Sequence, residues 1–462
     1  MVANHFSGTN LSQEQLERTN NYWFELDKLY RIDHRFTYPV CWERGEGTWL
    51  YDVEGKAYLD FESGQVCVTA GHCHPAYTQA LQDQAAKLVQ TGSAYTDPTQ
   101  VRLLQKLAQI TPPPFQKSYL ACSGSEANEA AIRIAKAFTG RFEVVAFPGN
   151  YHGMTGGSWS VTGFGKAYKA PFGPAMPGTV WLPTPFSYPV PGNPPYPDRD
   201  PAVVDSCIAF CEQMLDGSTG GAPAAIMLEL IQSAAGVRML PRAFVQALRR
   251  MCTERGALLI VDEAQTGMGR LGTWWGFEQY DIVPDIIVAS KTLGGGIPLS
   301  AAITSAEIAD VAVANGYKQS SSHTGDPLLC AVGLANIDII EGERLVDNAR
   351  DIGAYLKQGL EKIAATSAII GEIRGTGLLL GVEVVRDKAT AAPNTEAIAA
   401  ITVHCRDGGL LTGWWPSHHL ASNIIRLMPP YTLTRAEADE ALEIMATAVR
   451  AVGNLGADER AK

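Results

Sequence analysis

A chain of 462 residues is too long for one ordinary core and predicts two or three domains. Its formal net charge of -11 excludes the clustered Lys and Arg of a nucleic-acid surface. No apolar run reaches the roughly 20 residues of a membrane span. Nine cysteines without a CxxC pair, and a start (MVANHFSGTNLSQEQ) lacking a basic and then apolar leader, predict free thiols in a reducing cytoplasm.

Residues 11–30 carry the apolar spacing of an amphipathic helix, and 49–60 (WLYDVEGKAYLD) read as a hairpin turning at Glu54-Gly55. The Gly-rich passage 61–75 (FESGQVCVTAGHCHP) lets backbone approach a ligand. Gln65 is its one amide side chain, aimed at that ligand or facing solvent from a turn. His72-Cys73-His74 has metal-ligating residue types, but adjacent residues rarely converge on one ion, and no metal is predicted. Beyond Pro75, helices alternate with strands: helices over 76–89 and 98–110, a strand over 118–122, then a helix opened by Ser125. Ala127, Ala130, Ala131, Ile134 and Phe138 share one face of that helix. The Ser-Gly-Ser turn at 123–125 presents N–H groups and hydroxyls at a helix N-terminus, which suits an anion and equally suits ordinary N-capping by Ser123 or Ser125.

A strand over 143–147 ends at Pro148. In the following turn Tyr151 stands among glycines, placed to cover a flat ring or to pack on its neighbours. Residues 163–201 are rich in Pro, Gly and Tyr, without period and too long for a plain connection; they predict a pocket wall or an interface. Cys207 and Cys211 read as core thiols on a helix. Strands follow over 225–230, carrying Glu229 at the end, over 258–264 (LLIVDEA) and over 286–291, with a helix over 240–255. This alternation predicts an α/β fold around a mainly parallel sheet with right-handed crossovers. Residues 327–363 read as nearly continuous helix, long enough to bridge two domains. Segments 373–385 and 424–428 predict strands of a smaller sheet. Thr434-x-x-Glu437 is a capping box for a last helix, and 456–462 a frayed end. Arg426, inside an apolar strand, needs a partner: a structural carboxylate such as Glu229, or a substrate's.

Parallel sheets collect ligand groups at the carboxyl ends of their strands. One strand end here offers Asp262-Glu263 and another Ser290-Lys291, followed closely by glycines (SKTLGGG). A lysine for a Schiff base, an acid for a pyridinium nitrogen and a phosphate turn at 122–129 (CSGSEANE) are what pyridoxal 5'-phosphate requires. Nucleotide binding is not indicated: Gly165-Lys166 is followed by Ala167, not by the Ser or Thr of a P-loop.

The motifs SGSEANEAAIRIAK, YHGMTGG, DEAQTGMGR and SKTLGGG, in this order, resemble the class III (subgroup II, fold type I) pyridoxal-phosphate aminotransferases, over about residues 38–450. ESGQVCVTAGHCHP, YHGMTGG, DEAQTGMGRLGT and GYKQSSSHTGDPLLCAVGL are similar to 2,2-dialkylglycine decarboxylase and α-amino-ε-caprolactam racemase within that family. The resemblance implies an N-terminal arm and hairpin (1–75) packing with the small domain. It further implies a large cofactor domain (76–326) on a seven-stranded, mainly parallel sheet, then a bridging helix and smaller α+β domain (327–462). Lys291 would hold the aldehyde and shuttle the proton, Asp262 would pair with the ring nitrogen, and Gln265 would bond the phenol oxygen. Gly124 and Ser125 would bind the phosphate, Tyr151 would stack on the ring, and Glu229 would line the cofactor. Gln65 and Arg426 would hold the substrate carboxylate. The phosphate-binding threonine that the family takes from a neighbouring subunit falls on Ser322, with Thr324 nearby, which implies a homodimer or homotetramer with the site at the interface.

The chain departs from the decarboxylase pattern at Tyr151, which replaces a tryptophan, and at Glu229-Leu230, which replaces Glu-Pro. Ser233-Ala234 replaces a Ser-Ser pair and weakens the case for decarboxylation; 411–420 (LTGWWPSHHL) also differs. The expected activity is transfer of the amino group of an α-amino acid to a 2-oxo acid, with a decarboxylating half-reaction as an extension. A racemase or epimerase, with Tyr151 as second acid, is the alternative. A non-catalytic binding protein is the third reading.

Overall fold

The computed structural model describes residues 12–32, 38–170, 172–187, 189–190, 195–414 and 422–453. The expected frayed end, Leu11 and positions 415–420 of the divergent loop lie outside them. Among the described residues no helix is long and apolar enough to cross a membrane.

The N-terminal helical pattern breaks in two, Gln13–Leu16 and Asn20–Tyr30, because the Thr19 hydroxyl accepts the Tyr22 N–H (3.3 Å) and starts a second helix. Strands β1 (Trp42–Glu46), β2 (Trp49–Asp52) and β3 (Ala57–Phe61) then form an antiparallel meander, the second turn falling at Glu54-Gly55 as its sequence demands.

The middle of the chain supplies β4 (Phe115–Ala121), β5 (Val144–Ala146), β6 (Thr179–Trp181), β7 (Ala225–Leu228), β8 (Ile231–Gln232), β9 (Arg238–Met239), β10 (Leu258–Asp262), β11 (Ile286–Ala289) and β12 (Ser300–Ser305). Seven of these make one sheet in the order β4-β12-β11-β10-β7-β5-β6. Only β12 runs against its neighbours; the pairings among β11, β10, β7, β5 and β6 are all parallel. The near-continuous apolar run of β10 is the mark of a strand covered on both faces. Its alternate residues serve two cores: Leu259 and Val261 pack with the helices Pro98–Ile110 and Arg242–Arg255, and Leu258 and Ile260 with the helix Gly124–Thr139. Two strands of this seven-stranded sheet were not legible in sequence. β6 is a three-residue edge strand inside the Pro/Gly-rich 163–201, and β12 (SAAITS) is built of small residues buried on both faces, which leaves no alternation.

The expected bridging helix is two helices, Pro327–Gly342 and Leu345–Thr366. Arg344 between them is left-handed (φ 56°), and its guanidinium bonds Asp347 (2.7 Å) in the first turn of the second helix. The expected strand 373–385 is a hairpin of β13 (Ile370–Thr376) and β14 (Leu379–Val384). β15 (Leu410–Thr412) leaves that region and pairs parallel with β3, while β16 (Ile424–Leu427) pairs antiparallel with β14. The Met428 N–H donates to the Phe61 carbonyl (2.8 Å), so the early hairpin and the late strands form one platform. The capping box forms: the Thr434 hydroxyl accepts the Glu437 N–H (3.3 Å), and the Glu437 carboxylate accepts the Thr434 N–H (2.8 Å), ahead of the helix Arg435–Gly453.

Candidate active site

β7, β10 and β11 are neighbours, so their carboxyl ends bring Glu229, Asp262 and Lys291 together. Asp262 is 3 % exposed. Its Oδ2 accepts from Asn128 Nδ2 (2.8 Å) and lies 2.8 Å from His152 Nδ1, and its Oδ1 accepts the Ala264 N–H (3.0 Å). Burial alone would raise its pKa. The His152 hydrogen bond and charge, Asn128 and the Lys291 ammonium outweigh burial and hold the carboxyl below the usual range. A buried acid kept anionic at a strand end fits a cationic ring nitrogen.

Glu229 stands one residue beyond the Val261–Leu228 pair. Burial and the Asp262 charge push its carboxyl up to about 8, against the Tyr151 N–H that it accepts at 2.5 Å and against Lys291. Strand β11 ends at Ala289, two residues before the expected boundary. Lys291 is half-buried and opens a short 3-10 turn (Lys291–Leu293) in a left-handed conformation, φ 45°. Such a φ on a lysine persists only where surrounding structure imposes it.

The helix Gly124–Thr139 is capped by Ser123, whose hydroxyl accepts the Glu126 N–H (3.3 Å) while Glu126 accepts the Ser123 N–H (2.9 Å). Ser123 thus does the capping. Gly124 and Ser125 stand in the first turn, and the Ser125 hydroxyl accepts the Met154 N–H (3.2 Å). The loop carrying Tyr151 is pressed onto this turn: at Gly153 (φ 124°) an added Cβ would lie 2.0 Å from Ser125 Oγ. The Tyr151 ring packs edge-on against Phe164 (centroids 5.2 Å) and Tyr168 (6.5 Å). Gln265 Oε1 accepts the Ser233 hydroxyl (2.8 Å), at the segment that departs from the decarboxylase pattern.

Gln65 is exposed and lies in a left-handed helical turn, Ser63–Val66, with φ values of 42°, 58°, 61° and 71°. Each non-glycine residue there costs about 1–2 kcal/mol. Asp60 offsets that cost by accepting the N–H groups of Glu62 (2.9 Å) and Ser63 (2.8 Å), and the Ser63 hydroxyl donates to the Met428 carbonyl (2.6 Å). The turn packs against Lys291–Leu293. Arg426 is 4 % exposed in β16; burial pushes its pKa down to about 10, while the carboxylates of Glu62 and Glu229 favour its charge. Ser322 and Thr324 lie along the edge strand β4 side: Thr324 Oγ1 is 3.3 Å from the Tyr119 hydroxyl, and the Ser322 carbonyl accepts from Gln90 Nε2 (2.7 Å). Among the described residues no hydrogen bond joins either one to Gly124 or Ser125. His72 and His74 face different carboxylates, Asp60 (2.8 Å) and Glu343 (2.9 Å).

Sequence reasoning missed three residues. His152 and Asn128 sit inside quoted motifs, but their shared contact with Asp262 spans 110 and 134 positions and leaves no local signal. Glu62 is the third, an acid inside the Gly-rich passage 61–75.

The residues present fit pyridoxal phosphate: an anionic buried acid, a lysine on the adjoining strand end, and a helix N-terminus with a hydroxyl and a close-packed glycine loop. The bound cofactor supplies an aldehyde for amines and an electron-accepting ring.

Residues 32–449 match the family model for class III aminotransferases. An aminotransferase of Schizosaccharomyces pombe is 35% identical over 432 residues, 93% of this chain and 94% of that one. An alanine/serine racemase of Pyrococcus horikoshii is 32% identical, over 89% of this chain and 86% of that one. Among solved structures, an amine transaminase from an uncultivated Pseudomonas species in its pyridoxal-phosphate-bound form superposes with a TM-score of 0.82 and 31% identity, over 92% of this chain and 97% of that one. The chain therefore belongs to the class III aminotransferases and is a pyridoxal-phosphate-dependent transaminase.

Proposed function

We propose that this enzyme transfers the amino group of an α-amino acid to a 2-oxo acid. The observation that carries the reading is Arg426, a guanidinium buried among apolar strands and in electrostatic contact with Glu229, on the Lys291 side of the sheet. A planar cation in a low-dielectric site is suited to hold a carboxylate by two parallel hydrogen bonds.

In this reading Lys291 holds the cofactor aldehyde and moves the α-proton, Asp262 keeps the ring nitrogen charged, and His152 and Asn128 fix Asp262. Gln265 meets the phenol oxygen, Gly124 and Ser125 hold the phosphate, and Tyr151 covers the ring edge-supported by Phe164. Gln65 assists Arg426 at the substrate carboxylate. Ser322 or Thr324 reaches the phosphate of a second copy, so the active form is a homodimer or a homotetramer, in the cytoplasm. The arm and hairpin (1–75), cofactor domain (76–326) and small domain (327–462) act as the three units of that subunit. A decarboxylating half-reaction, and the nearness to dialkylglycine decarboxylase, is the finer reading that Ser233-Ala234 weakens, since Ser233 is engaged with Gln265. Racemisation is the second reading, favoured by the similarity to an alanine/serine racemase and by the Tyr151 hydroxyl, a candidate acid in the same site.

The test adds single amino acids to the loaded enzyme with and without a 2-oxo acid and follows amino transfer and chirality by chromatography. Transfer that requires the 2-oxo acid is expected. Inversion without it would replace the proposal with the racemase. Arg426→Lys is expected to raise KM for amino acids at least tenfold, about 1.4 kcal/mol, while leaving cofactor binding unchanged.

A further inference from the structure

The turn that carries Lys291 is held from outside by side chains of distant elements. Asn336, buried in the helix Pro327–Gly342, donates its Nδ2 to the Thr292 carbonyl (2.6 Å). Tyr77, on the helix Pro75–Lys87, donates its hydroxyl to the Gly294 carbonyl (2.8 Å). The Tyr431 hydroxyl, beyond β16, lies 3.4 Å from Thr292 Oγ1. Gly295 (φ 59°) makes room for the first two, since a Cβ there would lie 2.7 Å from Asn336 Oδ1 and 2.8 Å from Tyr77 Cε2. A carbonyl only accepts, so the Asn336 amide must face Thr292 with its nitrogen. The amide oxygen is then left inside the protein and accepts no hydrogen bond among the described residues. Burying an unsatisfied oxygen costs stability, a cost that a leucine of similar shape would avoid. The Thr292 carbonyl does not depend on the amide either, because it already accepts the Gly295 N–H (3.1 Å). What the Asn336 bond adds is an anchor on the residue next to Lys291, whose φ of 45° persists only under such constraint.

We propose that Asn336, seconded by Tyr77, is a positioning residue that keeps the Lys291 turn in its strained form and so aims the lysine amine at the cofactor aldehyde. Neither side chain has to touch the cofactor. With the backbone on both sides of Lys291 fixed, its Cα–Cβ bond has one direction, and the amine searches fewer positions before it reacts. Condensation joins the neutral amine to the aldehyde carbon by a double bond and releases one water. If the anchor is lost and the turn relaxes, the same condensation must first restore the strained form, and the bond becomes less favourable by that amount. Contacts to the phosphate and the ring come from other elements and stay as they are. This inference rests on Lys291 as the residue that takes the aldehyde.

Pyridoxal 5'-phosphate forms that bond and pyridoxamine 5'-phosphate cannot. The ratio of their dissociation constants on the cofactor-free protein therefore separates the part of the lysine from that of the phosphate turn. Asn336→Leu removes the donor and keeps the shape. It is expected to weaken pyridoxal phosphate about two- to tenfold, the range of one hydrogen bond, and to leave pyridoxamine phosphate unchanged. Equal weakening of both ligands, or no change in either, would make Asn336 a core residue only and overturn the inference. Lys291→Ala is the reference and is expected to erase the preference for pyridoxal phosphate. If it does so while Asn336→Leu leaves the preference intact, the inference falls and the role of Lys291 stands; if Lys291→Ala keeps the preference, both fall. Should Asn336→Leu melt below the assay temperature, Tyr77→Phe, which removes one hydroxyl from a half-buried ring, is expected to lower the same ratio, and an unchanged ratio there overturns the inference as well.

Discussion

Gly153→Ala offers the most direct check on the anion cradle. Gly153 has φ 124°, and an added Cβ would lie 2.0 Å from Ser125 Oγ, 2.7 Å from its Cβ and 2.8 Å from its Cα. Turning the Ser125 hydroxyl aside relieves only the first contact; the others are with backbone and its attached carbon. The backbone conformation costs about 1–3 kcal/mol for a residue with a Cβ, and forcing a methyl into packed structure costs about 1–3 kcal/mol more. The loss divides between stability, if the loop stays, and cofactor affinity, if Ser125 is displaced. At about tenfold per 1.4 kcal/mol, a loss of about 2–6 kcal/mol taken wholly by the second route weakens cofactor binding by roughly one and a half to four decades. Unfolding of the cofactor-free protein and the cofactor dissociation constant, measured on the same preparation, capture both. Gly156→Ala is the control, because a Cβ there meets nothing within 4 Å. A Gly153→Ala protein matching the Gly156→Ala protein in both measurements would refute the packing argument.

Lys291→Ala is expected to retain cofactor through the Gly124–Ser125 turn and to lose turnover; borohydride reduction that labels a different lysine in the wild type would remove the assignment. Asp262→Ala is expected to slow turnover by orders of magnitude and Asp262→Glu by less; an Ala variant within about tenfold of wild type, roughly 1.4 kcal/mol of barrier, argues against the ring-nitrogen role. Glu229 has a folded pKa of about 8, above the ordinary 4.5, so its stabilising effect is complete below pH 4.5 and is lost as pH rises through about 8. The melting temperature of the cofactor-free protein should therefore decline across that window, and Glu229→Gln should flatten the decline; an unchanged profile contradicts the burial argument. Sedimentation of the active enzyme is expected to show a dimer or larger, and an active monomer would exclude a phosphate contact from a second copy.

Local chemistry made much of this protein legible in one dimension. The apolar run 258–264 reads as a strand ending in an acid pair, Thr434 and Glu437 carry their capping box within four residues, and Glu54-Gly55 turns its hairpin. The strand-end lysine and acid were readable because a parallel sheet delivers such ends to one edge. Other features depend on neighbours far away in sequence. β12 is a strand because β4 and β11 flank it, and β6 because β5 offers it an edge. The ionisation of Asp262 is set by His152 and Asn128, and that of Arg426 by burial together with Glu62 and Glu229. Propensity and capping act over a few residues and are written in the sequence. Electrostatic fields and desolvation act through space, and only the folded chain decides which charges share a dry site.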